Sequence, residues 1–141
     1  MPMLKILIDT DVVLNVLLRE EPFFKTSSEV LLCLAQKKMS GSVTATTMTN
    51  IFYIAHKRIG LGVARFCVKK LLETDGLKFL SVDEQIIRNA EASQMTDFED
   101  AVQAMAANAV GLDFIVTRNK RDFQDSPVTA VSPEELLKKL N

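Results

Sequence analysis

Three stretches of this sequence carry acidic and hydroxyl side chains where chemistry could use them. Asp9-Thr10-Asp11 closes the first apolar run, and Asp97-Phe98-Glu99-Asp100 opens an apolar-striped segment. Thr117-Arg118-Asn119-Lys120-Arg121-Asp122 follows a later apolar run. Carboxylates gathered at one place repel each other unless a cation holds them. An all-oxygen set without Cys or His suits Mg²⁺ or Mn²⁺ better than Zn²⁺. Such a cation keeps several waters, binds through one or two carboxylates plus a substrate phosphate, and lowers the pKa of a bound water. Metal-dependent phosphodiester hydrolysis is the chemistry this set suggests.

Each candidate also has a plainer duty. Asp9 could satisfy strand-end amides, and Asp100 could complement a helix dipole. Asp97 shares a helical face with Asp100 but competes with Thr96 for the N-cap. Glu99 points away and is expected to reach back to Thr96 as a capping-box partner. Asp11 orients Thr10 or the loop, and Asp122 is a metal ligand or pairs with Arg118 or Arg121. Thr117, Asn119 and Asn50 suit hydrogen bonds to a carboxylate, water or phosphate, with helix capping as the alternative for Asn50. Arg118, Lys120 and Arg121, with His56-Lys57-Arg58, are candidates to grip phosphates around the site.

The elements that must position these residues follow from periodicity and turn signals. Residues 4–8 form a short apolar strand. Pro22 and the Thr26-Ser27-Ser28-Glu29 box open a helix, residues 42–45 a second strand, and Thr46, Thr47 or Thr49 caps the next helix, which Gly60 stops. A helix over about 63–74 ends before the Asp75-Gly76 turn, and residues 77–82 form a third strand. The Ser81-Val82-Asp83-Glu84 and Thr96-Asp97-Phe98-Glu99 boxes open two helices, the second closed by Gly111. Strands over 114–117 and 128–131 precede a final helix with Ser132 as cap and Pro133 at its first position. Strands alternating with helices predict one α/β domain over 1–141, with a parallel sheet of about five short strands in a three-layer arrangement. Ligands of such sheets bind beyond the carboxyl ends of the strands, where the acidic stretches fall. The core takes up the inward stripes, and no spare apolar face is evident.

Composition agrees. The 141 residues fit one domain, and 48% hydrophobic against 25% charged residues is a globular balance. One histidine, His56, excludes a His-rich metal site. Cys33 and Cys67 lie outside any C-x-x-C spacing and are expected to be buried small hydrophobes; Met48 and Met105 are expected to fill core space. A net charge of −1 excludes coating of nucleic acid by bulk electrostatics, but leaves room for an acidic centre rimmed by Lys57, Arg58, Arg118, Lys120 and Arg121. With no long apolar span and no signal-like N-terminus, the expected location is the cytoplasm, away from membranes.

Three segments together resemble the PIN domain family: Ile6-Leu7-Ile8-Asp9-Thr10-Asp11-Val12-Val13-Leu14, Asp97-Phe98-Glu99-Asp100-Ala101-Val102-Gln103, and Ile115-Val116-Thr117-Arg118-Asn119-Lys120-Arg121-Asp122-Phe123. Thr49-Asn50-Ile51-Phe52-Tyr53 is similar to the second motif of one PIN subfamily. The resemblance implies a Mg²⁺- or Mn²⁺-dependent endoribonuclease, of the VapC type found as the toxin of toxin–antitoxin pairs. It further implies an RNA substrate and a small antitoxin protein as partner, and it is compatible with a homodimer. Asp9 and Asp100 match the family's metal-binding acids and Thr10 the adjoining hydroxyl. Asp11 stands where the family usually has Asn. Asn50 replaces the Glu of most active members, and Asn119 stands where many carry the last Asp. The Asn50 replacement motivates a rival reading, a PIN domain that binds RNA or protein without cutting. Asp9-Thr10-Asp11 also resembles the first motif of haloacid-dehalogenase-type phosphatases, but Thr117 and Lys120 then follow the acidic pair in the wrong order. A receiver-type signalling domain is disfavoured, since no acid ends a middle strand.

Overall fold

In the computed structural model, which describes residues 2–140, the chain forms β1 (Leu4–Ile8), α1 (Thr10–Leu17), α2 (Phe24–Ala35), β2 (Met39–Thr44), α3 (Ala45–Arg58) and α4 (Leu61–Leu72). There follow β3 (Leu77–Leu80), α5 (Glu84–Ala92), α6 (Phe98–Ala109), β4 (Phe114–Val116), a 3-10 turn (Lys120–Phe123), β5 (Thr129–Val131) and α7 (Pro133–Lys139). The five strands are all parallel in the order β3-β2-β1-β4-β5. The expected single α/β architecture is what forms.

Side chains alternate across β1, as a strand covered on both faces requires. Ile6 and Ile8 enter the larger core with Val12, Val30, Leu34, Ile51, Leu71 and Leu136, drawn from α1, α2, α3, α4 and α7. Leu7 faces the opposite side, against Ala104 and Ala107 of α6, with Ile115, Phe123 and Val128. Both cysteines are free and buried, while Met48 and Met105 pack at core edges.

Several helix starts differ from the sequence expectation. α1 begins without a turn directly after β1, because Asp9 is both strand end and N-cap, its side chain accepting from Thr10 N. α2 begins at Phe24 without a side-chain cap; Ser27, from the supposed starting box, lies buried inside it and donates to Asn15 Oδ1. Thr44 rather than Thr46, Thr47 or Thr49 caps α3, and Asp83 rather than Ser81 caps α5. Asp97, not Thr96, caps α6. The Ser132–Glu135 capping box with Pro133 at the first helical position forms as expected.

The core does not take up every large apolar side chain. Tyr53, Ile59, Leu61, Phe66 and Leu72, all on α3, α4 or the turn between them, are each about half exposed or more. No helix among the described residues is long and apolar enough to cross a membrane.

Candidate active site

The register of β1, β4 and β5 places Ile8 beside Val116 and Val116 beside Val131. Asp9 N donates to Val116 O (2.9 Å) and Thr117 N to Val131 O (2.9 Å), so the residue after each strand is held in line with its neighbour. Asp9 and Thr117 therefore meet at the carboxyl edge of the sheet. Asp9 is buried, and three donors converge on its carboxylate: Thr10 N at 2.8 Å, Gln103 Nε2 at 2.8 Å and Thr117 Oγ1 at 2.7 Å. A carboxylate has about four lone-pair positions, so three donors orient this one firmly and leave a position open to a ligand.

Around it lies a buried hydroxyl–amide network. Thr10 Oγ1 is 3.1 Å from both Thr47 Oγ1 and Glu99 Oε1, while Thr47 Oγ1 also neighbours Thr44 Oγ1 (3.1 Å) and Gln103 Oε1 (3.4 Å). Thr44, Thr47, Gln103 and Thr117 are fully buried. Their polar atoms are affordable only because each is paired. Glu99 thus does not reach back to Thr96; it turns inward to Thr10. Gln103 and Thr47 were not anticipated as site residues. The available signal was spacing: Gln103 follows Glu99 by four residues, on the same face of α6.

Asp97 serves the N-cap, Oδ1 accepting from Asp100 N at 2.9 Å, and its side chain is exposed. Asp100 is half-buried. Burial first, then the charges of Asp9, Asp97, Asp122 and Glu99, push its carboxyl up to about 8. Asp11 is likewise pushed up to about 7 by burial and then by Asp9. Its Oδ2 accepts from Asn119 Nδ2 (3.0 Å), and Asn119 N donates to Thr117 Oγ1 (3.0 Å), so Asn119 joins the two acidic loops. Asp11 Oδ1 is buried without a hydrogen-bond partner. Asp122 forms no ion pair with Arg118 or Arg121 among the described residues; it lies in the 3-10 turn, exposed, where its charge bears on Asp100. Asn50 lies within α3, half-buried and beyond the capping position, with no side-chain hydrogen bond among the described residues.

The anticipated basic rim is largely neutralised. Arg118 is held by Glu134 (2.6 Å), Ser27 Oγ (2.8 Å), Phe23 O (3.3 Å) and Asn15 Oδ1 (3.3 Å), with only 13% of its side chain exposed. Lys120 pairs with Glu135 at 2.9 Å and Arg58 with Glu20 at 3.1 Å. Arg121 and Lys57 are exposed and form no ion pair among the described residues.

No group of three or more His, Cys, Asp or Glu residues among those described is arranged as a preformed metal cage. The site is nonetheless chemically matched to a hard divalent cation, because all its donors are oxygens. Asp11 Oδ1 lacks a partner, and the charges around Asp100 disfavour its ionised form unless positive charge is supplied. Asp9 and Asp100 are the residues that would hold it, with Asp11 beside them.

The family model for the PIN domain matches residues 5–121. The chain belongs to the PIN domain family. No curated protein sequence matches it. Solved structures share the fold at low identity. The DNA-bound VapBC complex of Salmonella typhimurium is 19% identical with a TM-score of 0.69, covering 93% of this chain and 99% of that one. VapBC2 of Rickettsia felis, bound to a promoter DNA fragment, is 12% identical with a TM-score of 0.69, covering 92% and 98%. VapC20 of Mycobacterium tuberculosis, a toxin that cleaves the sarcin–ricin loop, is 14% identical with a TM-score of 0.64, covering 78% and 86%. At these identities the likeness establishes the PIN fold of this chain.

Proposed function

We propose that this PIN domain is a Mg²⁺- or Mn²⁺-dependent endoribonuclease and the toxin of a toxin–antitoxin pair. The observation that carries the reading is the Asp9 carboxylate, locked by Thr10, Gln103 and Thr117 beside a half-buried Asp100 at the sheet edge. Asp9 and Asp100 would hold the ion, and Asp11 would lie beside it. A bound divalent ion supplies an acidified water and charge stabilisation at a phosphate. Gln103 and Thr117 fix the Asp9 carboxylate plane. Asn119 ties Asp11 to the loop after β4, and Glu99 orients the Thr10 hydroxyl. The toxin assignment draws support from the VapBC complexes among the structural neighbours. A partner protein has an apolar surface available in Tyr53, Ile59, Leu61, Phe66 and Leu72, and the same face would serve a homodimer.

The expected result is RNA cleavage that requires Mn²⁺ or Mg²⁺ and is abolished by Asp9→Asn and by Asp100→Asn. Titration calorimetry with Mn²⁺ should show binding by the wild type and its loss in both variants. Equal Mn²⁺ binding by all three proteins overturns the reading. Asn50, in place of an acid, favours a second reading, an RNA-binding module without catalysis. RNA retention in EDTA, with no cleavage at any metal concentration, would establish that alternative.

A further inference from the structure

Beside the carboxylates, on the far side of Asp11 and Asn119, lies an open cavity of about 470 Å³ lined by Asp11, Asn15, Phe23, Arg118, Asn119 and Glu134, with Ser132 at its margin. Its volume lies within the ~300–1,000 Å³ range of small-ligand pockets. Phe23 precedes α2 and is 42% exposed. The Arg118 guanidinium sits over that ring, 4.6 Å from its centroid, and is itself fixed by Asn15, Ser27, Phe23 O and Glu134. A rigid, half-exposed aromatic ring backed by an immobilised cation is a stacking platform for a flat ligand.

The hydrogen-bonding capacity left over in the cavity sets a carboxylate beside free N–H groups. Arg118 uses four of its five N–H groups on the protein, and Asn15 Nδ2 gives one of its two hydrogens to Glu20 while Asn15 Oδ1 accepts from Ser27 and Arg118. Asn119 Nδ2 gives one hydrogen to Asp11. What remains is mixed: one hydrogen each on Arg118 Nη1, Asn15 Nδ2 and Asn119 Nδ2, beside the acceptors Asn119 Oδ1 and the second oxygen of Glu134. A ligand that matches this set is flat and carries on one edge both an acceptor and adjacent N–H donors for the carboxylate. Unstacked RNA bases are recognised by stacking on aromatic rings together with hydrogen bonds to their pairing edge. Guanine is the base that presents adjacent N1–H and N2–H donors beside an acceptor, O6, on that edge.

We propose that this cavity is a nucleobase subsite that selects guanine next to the phosphate held at Asp9 and Asp100. The subsite's place in the reaction rests on the ribonuclease reading of those carboxylates, while its capacity to bind a base does not.

Two measurements test it. First, 5′-GMP, AMP, CMP and UMP are titrated into the full chain in EDTA while the aromatic NMR resonances of Phe23 are followed. GMP should shift them at the lowest concentration. Second, single-stranded oligoribonucleotides differing in one base beside the cut are cleaved with Mn²⁺ by the wild type, Phe23→Ala and Phe23→Trp. Wild type should prefer guanine; Phe23→Ala should lower kcat/KM for that substrate about 5- to 150-fold, the range of one lost base–aromatic stack. Phe23→Trp, which keeps a ring, should retain the preference and shows that the loss is not misfolding. Cleavage without base preference, unchanged by Phe23→Ala, overturns the subsite and leaves the nuclease standing. GMP binding at Phe23 without cleavage by any variant upholds the subsite and removes the nuclease. Shifts with N-acetylarginine amide but none with GMP overturn the proposal in favour of a protein side chain as occupant.

Discussion

At the scale of single residues, the site is a contest between burial and charge. Asp9 has a partner for nearly every lone pair, whereas Asp11 and Asp100 are crowded by it and by each other's neighbours. Because both folded carboxyls bind their protons more tightly than the ordinary value of 3.8, the stability they lend is present at low pH. It is lost progressively as pH rises above about 4, where the unfolded carboxyls ionise, and is gone above about 7 for Asp11 and about 8 for Asp100. The metal-free protein should therefore melt at progressively lower temperature across that window. A cation competes with those protons, so thermal scans should show Mn²⁺ raising Tm more at about pH 8 than at about pH 5.5. A Mn²⁺ effect that shrinks with rising pH would contradict the assignment of these carboxylates. The orienting partners should matter too. Gln103→Leu removes a donor from Asp9 and is expected to weaken Mn²⁺ affinity by about 10- to 100-fold, the usual cost of losing a partner behind a metal ligand. Calorimetry on the folded variant measures it.

At the scale of elements, the sheet edge is only as good as the helices that brace it. Two glycines stand where α2 crosses the sheet. A Cβ at Gly41 of β2 would lie 2.6 Å from Leu34 Cδ1. One at Gly76, in the turn before β3 with φ of +80°, would lie 2.6 Å from the Leu34 carbonyl oxygen. A flexible leucine tip can yield, but a helix carbonyl cannot. Gly76→Ala should cost about 1–3 kcal/mol in urea unfolding and more than Gly41→Ala. Elements bounded by strong local signals were legible from residue types: the Ser132-Pro133 start of α7, the Gly60 stop of α3, the buried strands. α1 was not, because its cap is the same Asp9 that ends β1 and no turn residue separates them. α2 was misplaced because its start has no side-chain cap while a serviceable box lies one turn inside it. That the acidic stretches meet at one edge was legible because the carboxyl ends of parallel strands lie together, whereas a metal-binding role for Asp9 and Asp100 comes from the family resemblance. Glu99, Gln103 and Thr47 were hidden since helical spacing alone does not say which face meets the sheet edge.

At the scale of the whole molecule, near-neutral net charge conceals a segregated surface. Cations that would rim the site are tied to Glu20, Glu134 and Glu135, leaving Arg121 and Lys57 among those singled out. The α3–α4 hairpin, in contrast, carries aromatic and aliphatic side chains into solvent beside Lys57, Arg65 and Lys69. Several large apolar side chains exposed on one hairpin make it the candidate interaction surface. Tyr53→Ser with Phe66→Ser should therefore weaken association with a partner or a second copy by at least tenfold, about 1.4 kcal/mol. Analytical ultracentrifugation reads this, and oligomeric state unchanged by both substitutions would remove the hairpin as a self-association face.

The Asp9–Thr117 hydrogen bond spans 108 positions of sequence. Ribosomes deliver chains from the N-terminus at about 5–20 residues per second, so Asp9 is made roughly 5–20 s before Thr117 can meet it. Throughout that interval β1 has no β4 to pair with and the acidic set has no floor. Until Thr117 is made and β4 has paired with β1, Asp9 lacks one of its three donors and the sheet edge cannot take its final geometry.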